Sequence, residues 1–476
     1  MLNSVRPATF RGYAGVASRD ITPPTGIYSA IYGAADPVAS LGTHRPLVAT
    51  VLALRTQRDE SAMVLVALDH TEVSELTPDI AGWVIDALAD TSPVVRENVM
   101  VVCSHTHSAP PLISRLRNRP GGDLFEPYVG QLSHAIADAV REAVAGTVPA
   151  TITWGAGGCD LATNRDLPDP NSTTGRYVCG YNPDGEPDDT LVVARVTSDE
   201  NDEIMATLVN YACHATSLGW DNYLVSPDFV GAMRETVEAS TDGAPSIFLQ
   251  GASGELAPAH QYSGDPAVAD GHGRQLGFAA LAVLAGMLKP GHELWLSEIV
   301  ESGAPLAVWS PRPFDPDRTL VAEEICSALP LIELPTSDAL ADALARSDSG
   351  WEATRILRKQ AIAETLGSKR FHETPAWVWR IGGAILVGHP NEAYSNLQTS
   401  LRAAFPDAAV MVMNLVNDSD VVGYLWPREL ADLDLYQIWQ SPFGAGSLEL
   451  LIDTCETAIA SLLKLTEVTE VTAASL

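Results

Sequence analysis

The sequence predicts an α/β protein with a mixed β-sheet core flanked by helices. Short apolar runs rich in β-branched residues recur along most of the chain, and segments with helical spacing of apolar residues separate them. The length of 476 residues and the 46% content of hydrophobic residues allow a large core. No internal repeat, low-complexity tract or flexible linker interrupts the pattern, so we expect one domain over residues 1–476.

Each predicted element follows from this alternation of patterns. The predicted strands are LVATVLALR, AMVLVALDH, NVMVVCSHTH, TLVVARV, IMATLVNYACH, PSIFLQGA, WVWRIGGAILVGH and AVMVMNLV. The predicted helices are Glu75–Asp90, Tyr128–Val144, Asp228–Glu238, Val268–Met287, Ala353–Thr365, Glu392–Ala404 and Gly446–Leu463. Residues typical of loops concentrate in Arg165–Asp189, in Gly303–Asp317 and near Tyr262–Gly273.

Composition argues against several classes of protein. With 60 acidic and 29 basic residues the net charge is −31, which repels phosphate backbones and argues against a nucleic-acid partner. The longest apolar run, Leu276–Leu288, is shorter than a membrane span, and the N-terminal residues lack the apolar segment of a signal peptide. The six cysteines are scattered without a C-x-x-C pair, which is typical of free thiols. We expect a soluble cytoplasmic protein; no pattern indicates its oligomeric state.

Histidines collect where predicted strands end. In MVVCSHTHSAPP, side-chain alternation would place Cys103, His105 and His107 on one side of a strand. A second strand ends at His214, and the segment GGAILVGHPNEAY ends a third, with Glu392 opening a helix. Strand ends are where α/β proteins usually bind ligands and metals, so these three ends could converge.

Two imidazoles and a carboxylate are the usual protein ligands of a catalytic zinc, which leaves one position for water. His105, His214 and one carboxylate would supply this set. An isolated H-x-H pair is equally compatible with two hydrogen-bonded core imidazoles. Residue spacing by itself leaves both interpretations open.

The chain resembles the catalytic N-terminal domain of the neutral (non-lysosomal) ceramidase family nearly end to end. The resemblance depends on GVASRDITPPTG, GTHRPLVATVLAL, VVCSHTHSAP, the NR of residues 164–165, YACHATS, FLQGASGELAP, HPNEAY and VVGYLWP. The H-T-H-S-x-P element is the most specific of these. Tyr424 and Tyr436 also reproduce the twelve-residue interval between two tyrosines of the family.

The resemblance implies a set of site residues. Zinc would be bound by His105, His214, Glu392 and Tyr424. His107 and Arg165 would lie beside the metal and act on the substrate, and His44 and Tyr436 would line the pocket, with Tyr436 as a hydrogen-bond donor in catalysis. Structural roles remain open for three of them: Tyr424 could pack its ring, His44 could belong to a loop, and Arg165 could pair with a nearby aspartate.

The chain departs from the family pattern in two ways. The ceramidases have a serine where this chain has Ala257, and Ser253, four positions earlier, could not replace it without a different loop. The family also continues into a C-terminal β-sandwich domain, which we do not expect here.

The implied chemistry is hydrolysis of a carbonyl compound by water activated at zinc. We expect cleavage of an amide (N-acyl) bond in a soluble small molecule. Two alternatives remain: a zinc-dependent lactonase or esterase that uses the same site, and a non-catalytic protein in which these residues bind a structural metal.

Overall fold

The computed structural model describes residues 4–29, 31–32, 34–35, 38–71, 80–112, 117–347, 350–417 and 421–473. The strands in these ranges are β1 Ser4–Val5, β2 Thr9–Asp20, β3 Gly42–Thr43, β4 Val48–Arg55, β5 Met63–Leu68, β6 Val99–Cys103, β7 Val148–Gly158, β8 Ala162–Asn164, β9 Asp166–Pro168, β10 Tyr177–Cys179, β11 Thr190–Ser198, β12 Ile204–Tyr211, β13 Leu224–Val225, β14 Ser246–Gln250, β15 Leu256–Pro258, β16 His292–Glu301, β17 Pro305–Pro313, β18 Leu320–Pro330, β19 Phe371–Ile381, β20 Ala384–Gly388, β21 Glu392–Ala393, β22 Ala409–Met413 and β23 Tyr424–Leu425. The helices are α1 Ile80–Leu88, α2 Phe125–Ala145, α3 Phe229–Glu238, α4 Pro266–Gly286, α5 Ser337–Ala345, α6 Gly350–Leu366, α7 Asn396–Ala404, α8 Tyr436–Gln440 and α9 Ser447–Ala473.

An eight-stranded mixed sheet forms the centre of the fold, in the order β14-β12-β11-β7-β2-β4-β5-β6. Its outer pairs β12–β14 and β5–β6 are parallel and the inner pairs are antiparallel. Both faces are buried, as β4 shows: Val51 and Ala53 point into one hydrophobic cluster, and Leu52 and Leu54 point into another. Such strands are apolar throughout, which explains why the sequence reveals them.

The remaining layers cover both faces of this sheet. Helices α1 and α2, and farther along α3 and α4, pack on one face. A four-stranded sheet, β18-β19-β20-β22, packs on the other face through Trp377 and Trp379, which are both 1% exposed. Helices α7 and α9 then cover the outer side of the smaller sheet. The predicted fold class, a mixed sheet core flanked by helices, is confirmed.

Several predicted elements differ from the observed ones. The segment WVWRIGGAILVGH forms two strands, β19 and β20, because Gly382 adopts a positive φ of 58° and turns the chain. The predicted loop Gly303–Asp317 contains β17, and the predicted loop Arg165–Asp189 contains the β9–β10 hairpin. The helix predicted to begin at Glu392 begins at Asn396. Residues 75–79 of the first predicted helix lie outside the described residues.

The start of helix α4 follows local chemistry that the apolar pattern missed. Helix α4 begins two residues earlier than predicted, inside the segment taken as a loop near Tyr262–Gly273, because Asp265 caps the backbone N–H of Ala267 and Pro266 occupies the first turn. Helix α3 begins with a similar cap from Asp228. None of the helices in the described ranges has the length and apolar character needed to cross a membrane.

Candidate metal centre and active site

The first histidine of the predicted site lies just beyond the end of β6. His105 has a positive φ of 64°, a conformation that residues other than glycine rarely adopt and that is often found at functional sites. The strand therefore does not continue through His107, and the expectation that Cys103 shares a side with the two histidines by strand alternation is wrong. Cys103 is buried in the core beneath α1 and α2. The rings of His105 and His107 are still adjacent, with centroids 4.9 Å apart.

The other two predicted ligands also follow strand ends. His214 lies three residues beyond β12, and its backbone N–H donates to the carbonyl of Leu256 at 2.9 Å. Glu392 lies beyond β20 in the two-residue strand β21, which pairs in parallel with Tyr424 of β23. The predicted helix start at Glu392 is wrong, because this residue is held in an extended pairing with a distant segment.

The structure brings the three predicted ligands together. One ligand atom each from His105, His214 and Glu392 lies within 4.8 Å of the other two, and all three residues are buried. Oε2 of Glu392 lies 3.1 Å from Nε2 of His214 and 3.3 Å from Nε2 of His105. A single carboxylate oxygen therefore faces the same nitrogen of both rings.

Hydrogen bonds at the back of each ring fix its orientation. Nδ1 of His105 donates to the carbonyl of Thr71 at 2.8 Å, and Nδ1 of His214 donates to the carbonyl of Ser253 at 2.7 Å. In a neutral imidazole whose proton is on Nδ1, Nε2 presents a lone pair. Donation from the second ring nitrogen to a backbone carbonyl is typical of metal-binding histidines.

The charges of the three groups fit a divalent cation. Burial lowers the pKa of His214 to about 3, so its ring is neutral. Burial alone would raise the pKa of Glu392, but the contacts with His105 and His214 hold it well below its usual range. The lone pair of the neutral His214 ring that faces an ionised carboxylate repels it unless a cation lies between them. Two imidazole nitrogens and one carboxylate oxygen form a donor set that zinc commonly takes.

Tyr424 and Arg165 lie beside this group. Tyr424 pairs with Glu392 across β23 and β21, and burial first, and then the charge of Glu392, raise the pKa of the Tyr424 hydroxyl well above its usual value. Arg165 is 3% exposed; its Nε and Nη2 donate to the carbonyl of Gly254 at 3.1 and 2.7 Å, and Nη2 also reaches the Tyr424 hydroxyl at 3.3 Å. The guanidinium of Arg165 is therefore held by a backbone carbonyl, and not by an aspartate as in the alternative interpretation.

His107 lies on the open side of the group. Neither of its ring nitrogens, both buried, has a hydrogen-bond partner among the described residues. Burial first, and then the neighbouring His105 and His214, lower its pKa well below the usual value, so the ring is neutral. A buried imidazole whose two nitrogens have no protein partner can bind water or a substrate.

An aromatic wall next to His107 is a feature that the sequence did not reveal. The ring of Tyr32 lies 5.2 Å from that of His107, and Trp220 and Tyr262 lie 6.2 and 6.0 Å from Tyr32. Trp220 and Tyr262 stack on each other. No sequence motif marks these three positions. In the structure, Trp220 is recognisable because its large apolar side chain is 38% exposed.

Two other predicted pocket residues lie at different distances from the centre. The ring of Tyr436 packs edge-on against Tyr424 at 5.8 Å and therefore lies next to the ligands. His44 is farther from the candidate ligands and is connected to them through Ser226. Its Nδ1 is 2.9 Å from Oγ of Ser226, and the carbonyl of Ser226 accepts a hydrogen bond from Thr106, the neighbour of His105. The proposed contact of His44 with substrate stays a prediction.

Neither Ala257 nor Ser253 places a hydroxyl group on the ligand side of the candidate metal centre. Ala257 is buried in β15 and pairs with Thr163 of β8, so no hydroxyl is available there. The hydroxyl of Ser253 accepts from Gln250 at 2.6 Å and lies 3.3 Å from Nδ1 of His214. Because Nδ1 is on the side of the ring opposite the ligand nitrogen, Ser253 supports His214 from behind.

Comparison with known proteins gives the following matches. The model of the family described as neutral/alkaline non-lysosomal ceramidase, N-terminal, matches residues 13–261. The crystal structure of neutral ceramidase from Pseudomonas aeruginosa is 16% identical, with a TM-score of 0.65, and the match covers 95% of this chain and 75% of that chain. The structure of a ceramidase complexed with C2 is 15% identical, with the same TM-score and coverage of 96% and 76%. At this identity the likeness concerns the fold. Among curated proteins, no relative matches the sequence.

Proposed function

The chain belongs to the neutral/alkaline non-lysosomal ceramidase family, and on this premise we propose that it is a zinc-dependent hydrolase that cleaves an amide bond of a soluble N-acyl compound. The observation that carries this proposal is the group of His105, His214 and Glu392. Both imidazoles are fixed by carbonyl acceptors, and both turn Nε2 toward one carboxylate oxygen.

The residues that would hold zinc are His105, His214 and Glu392, with the Tyr424 hydroxyl as the fourth ligand. When bound, the ion would supply Lewis-acid polarisation of the substrate carbonyl and a lowered pKa for a bound water. Arg165 contributes to this arrangement because its Nη2 contacts the Tyr424 hydroxyl and keeps it beside the carboxylate.

His107 is the group that moves protons in this proposal. Its ring is neutral and lies 4.9 Å from the ring of His105, with both nitrogens available to water or substrate. A neutral imidazole can take a proton from the attacking water and return it to the leaving amine. The pKa of Tyr436 is raised by burial, so its hydroxyl stays protonated and can donate to the oxyanion that develops on the carbonyl oxygen.

A lactonase or esterase activity at the same site is the second candidate. Ala257 stands where the family has a serine, so no side-chain hydroxyl at that position takes part. Activated water attacks amide and ester carbonyls alike, and the shape of the pocket decides between them. The two buried nitrogens of His107, which have no hydrogen-bond partner among the described residues, favour both hydrolytic functions over a structural metal site, which would not need a proton carrier.

The test combines metal analysis with a substrate panel. The purified protein is assayed for bound zinc and for turnover of a chromogenic acyl amide, ester and lactone, with and without added zinc. We expect H105A to lose both zinc and turnover. The control H134A removes an exposed imidazole of α2 and should keep both. Full activity of H105A would contradict the metal centre, and turnover of the lactone or ester without the amide would favour the second candidate.

A further inference from the structure

A basic face on helix α6 lies at one side of the candidate site. Arg355, Arg358 and Lys359 are spaced so that they share one side of the helix. The chain has only four lysines and a net charge of −31. Three cationic side chains within two turns are therefore unusual for this protein, and we call them the α6 basic face.

Aromatic contacts connect the α6 basic face to the metal ligands. The guanidinium carbon of Arg355 lies 4.0 Å above the ring of Trp439, and Nζ of Lys359 lies 6.0 Å from it. The ring of Trp439 packs edge-on against Tyr436 at 5.1 Å, and Tyr436 packs against Tyr424 at 5.8 Å. Tyr424 in turn pairs with Glu392 across the parallel strands β23 and β21. The contacts are continuous from helix α6 to the candidate zinc ligands.

A further cation lies at the other end of this aromatic series. The guanidinium carbon of Arg165 lies 5.8 Å from the centre of the Tyr424 ring, and its Nη2 donates to the Tyr424 hydroxyl at 3.3 Å. A substrate that extends past Tyr436 would meet positive charge in an otherwise acidic protein.

We propose that the substrate carries an anionic group, such as a carboxylate, sulfate or phosphate, remote from the bond that is cleaved, and that the α6 basic face binds it. This inference rests on the proposed hydrolase function. The overall charge of −31 repels anions at long range. Local cations within the screening length of about 8 Å at physiological ionic strength are needed to reverse that repulsion. A wholly uncharged N-acyl compound would gain nothing from these three residues.

Two chromogenic anilides of equal length test the proposal, one ending in a carboxylate and the other in a carboxamide. We expect wild-type protein loaded with zinc to cleave the carboxylate with the higher kcat/KM and to lose that advantage as salt is raised. In K359E and R358E the ratio of kcat/KM for carboxylate over carboxamide should fall about 10-fold, mainly through KM, because one partly exposed charge contact changes from attraction to repulsion.

The matched control is K289E, which makes the same change of net charge. Lys289 pairs with Asp202, before the start of β12, whereas His214 follows the other end of that strand. This variant should keep the wild-type ratio. Equal kcat/KM values for both anilides, or a ratio that is the same in K359E, R358E and K289E, would overturn the inference and leave the hydrolase function intact. No turnover of either anilide by zinc-loaded wild-type protein would overturn the proposed amide hydrolysis, and the inference would fall with it.

Discussion

Replacement of Arg165 with lysine keeps a positive charge at the site but removes the planar fork. The guanidinium makes two hydrogen bonds to the carbonyl of Gly254, at 3.1 and 2.7 Å, and a third to the Tyr424 hydroxyl at 3.3 Å. A lysine ammonium is a point donor that cannot reproduce this fork. Hydrogen bonds that involve a charged group contribute about 1.5–3 kcal/mol each, and lysine keeps about one of the three, so we expect R165K to lower the free energy of unfolding by roughly 3–6 kcal/mol.

The same replacement should reduce activity more than zinc binding. Without the contact from Nη2, the Tyr424 hydroxyl is free to move away from the Glu392 carboxylate, and misplacement of about 1 Å at a catalytic centre can cost about 100-fold in rate. We therefore expect kcat/KM of R165K to fall about 100-fold at saturating zinc. Unfolding in urea, followed by fluorescence of the ten tryptophans, measures stability, and hydrolysis of the chromogenic amide measures activity.

The control for this experiment is R176K in the neighbouring β9–β10 hairpin. The Arg176 side chain is 61% exposed and pairs with Asp169, so its replacement should change the free energy of unfolding by about 0.5 kcal/mol or less. If R165K unfolds at the same urea concentration as R176K and has the same kcat/KM, then Arg165 does not hold Tyr424 in place and our reasoning about the site is refuted.

Two other replacements test separate parts of the site. H107Q should retain zinc but lower kcat by about 10²–10⁴-fold, because it removes the proton carrier and not a ligand; loss of zinc in this variant would place His107 among the ligands instead. Burial raises the pKa of Glu255 from 4.5 to about 7, in spite of the donors of Ser395. The folded protein then keeps a proton that the unfolded chain releases, so ionisation of Glu255 lowers the free energy of unfolding as pH rises from 4.5 to about 7, by roughly 3 kcal/mol in all. E255Q should remove this component, which urea unfolding at pH 5 and pH 8 measures; an unchanged difference between the two pH values would contradict the assignment.

Much of the fold could be predicted because its main strands are buried on both faces. Continuous apolar runs such as those of β4, β5 and β6 have few other interpretations in a chain of this length. The central strands β2 and β7 were missed because polar residues and glycines interrupt their apolar pattern, and other missed elements lie at the surface. Strand β17 alternates exposed and partly buried residues between prolines, and helix α5 buries one residue, Leu340, among its nine. Apolar periodicity carries little signal where so little side chain is buried.

The site was predictable in its members and not in its geometry. His105, His214 and Glu392 were recognisable because each follows a strand and matches a family motif. A histidine in an apparently continuous strand sequence gives no sign of the positive φ of His105. The pairing of Glu392 with Tyr424 was also unpredictable, because it depends on contact between distant segments. Tyr32 and Trp220 were not recognised as part of the site at all. No local sequence pattern marks them, and only the folded chain brings Tyr32 to His107 and Trp220 to Tyr32.

The ligand residues come from three remote parts of the chain, with 178 positions between His214 and Glu392. A denatured chain would have to close very large loops to chelate an ion with these side chains, at a considerable cost in conformational entropy. The ion therefore should associate only after tertiary structure has formed and should escape as soon as that structure opens. Under the proposed metal dependence, a cell that is short of the metal would accumulate folded but inactive protein, and metal supply would control its activity reversibly after synthesis.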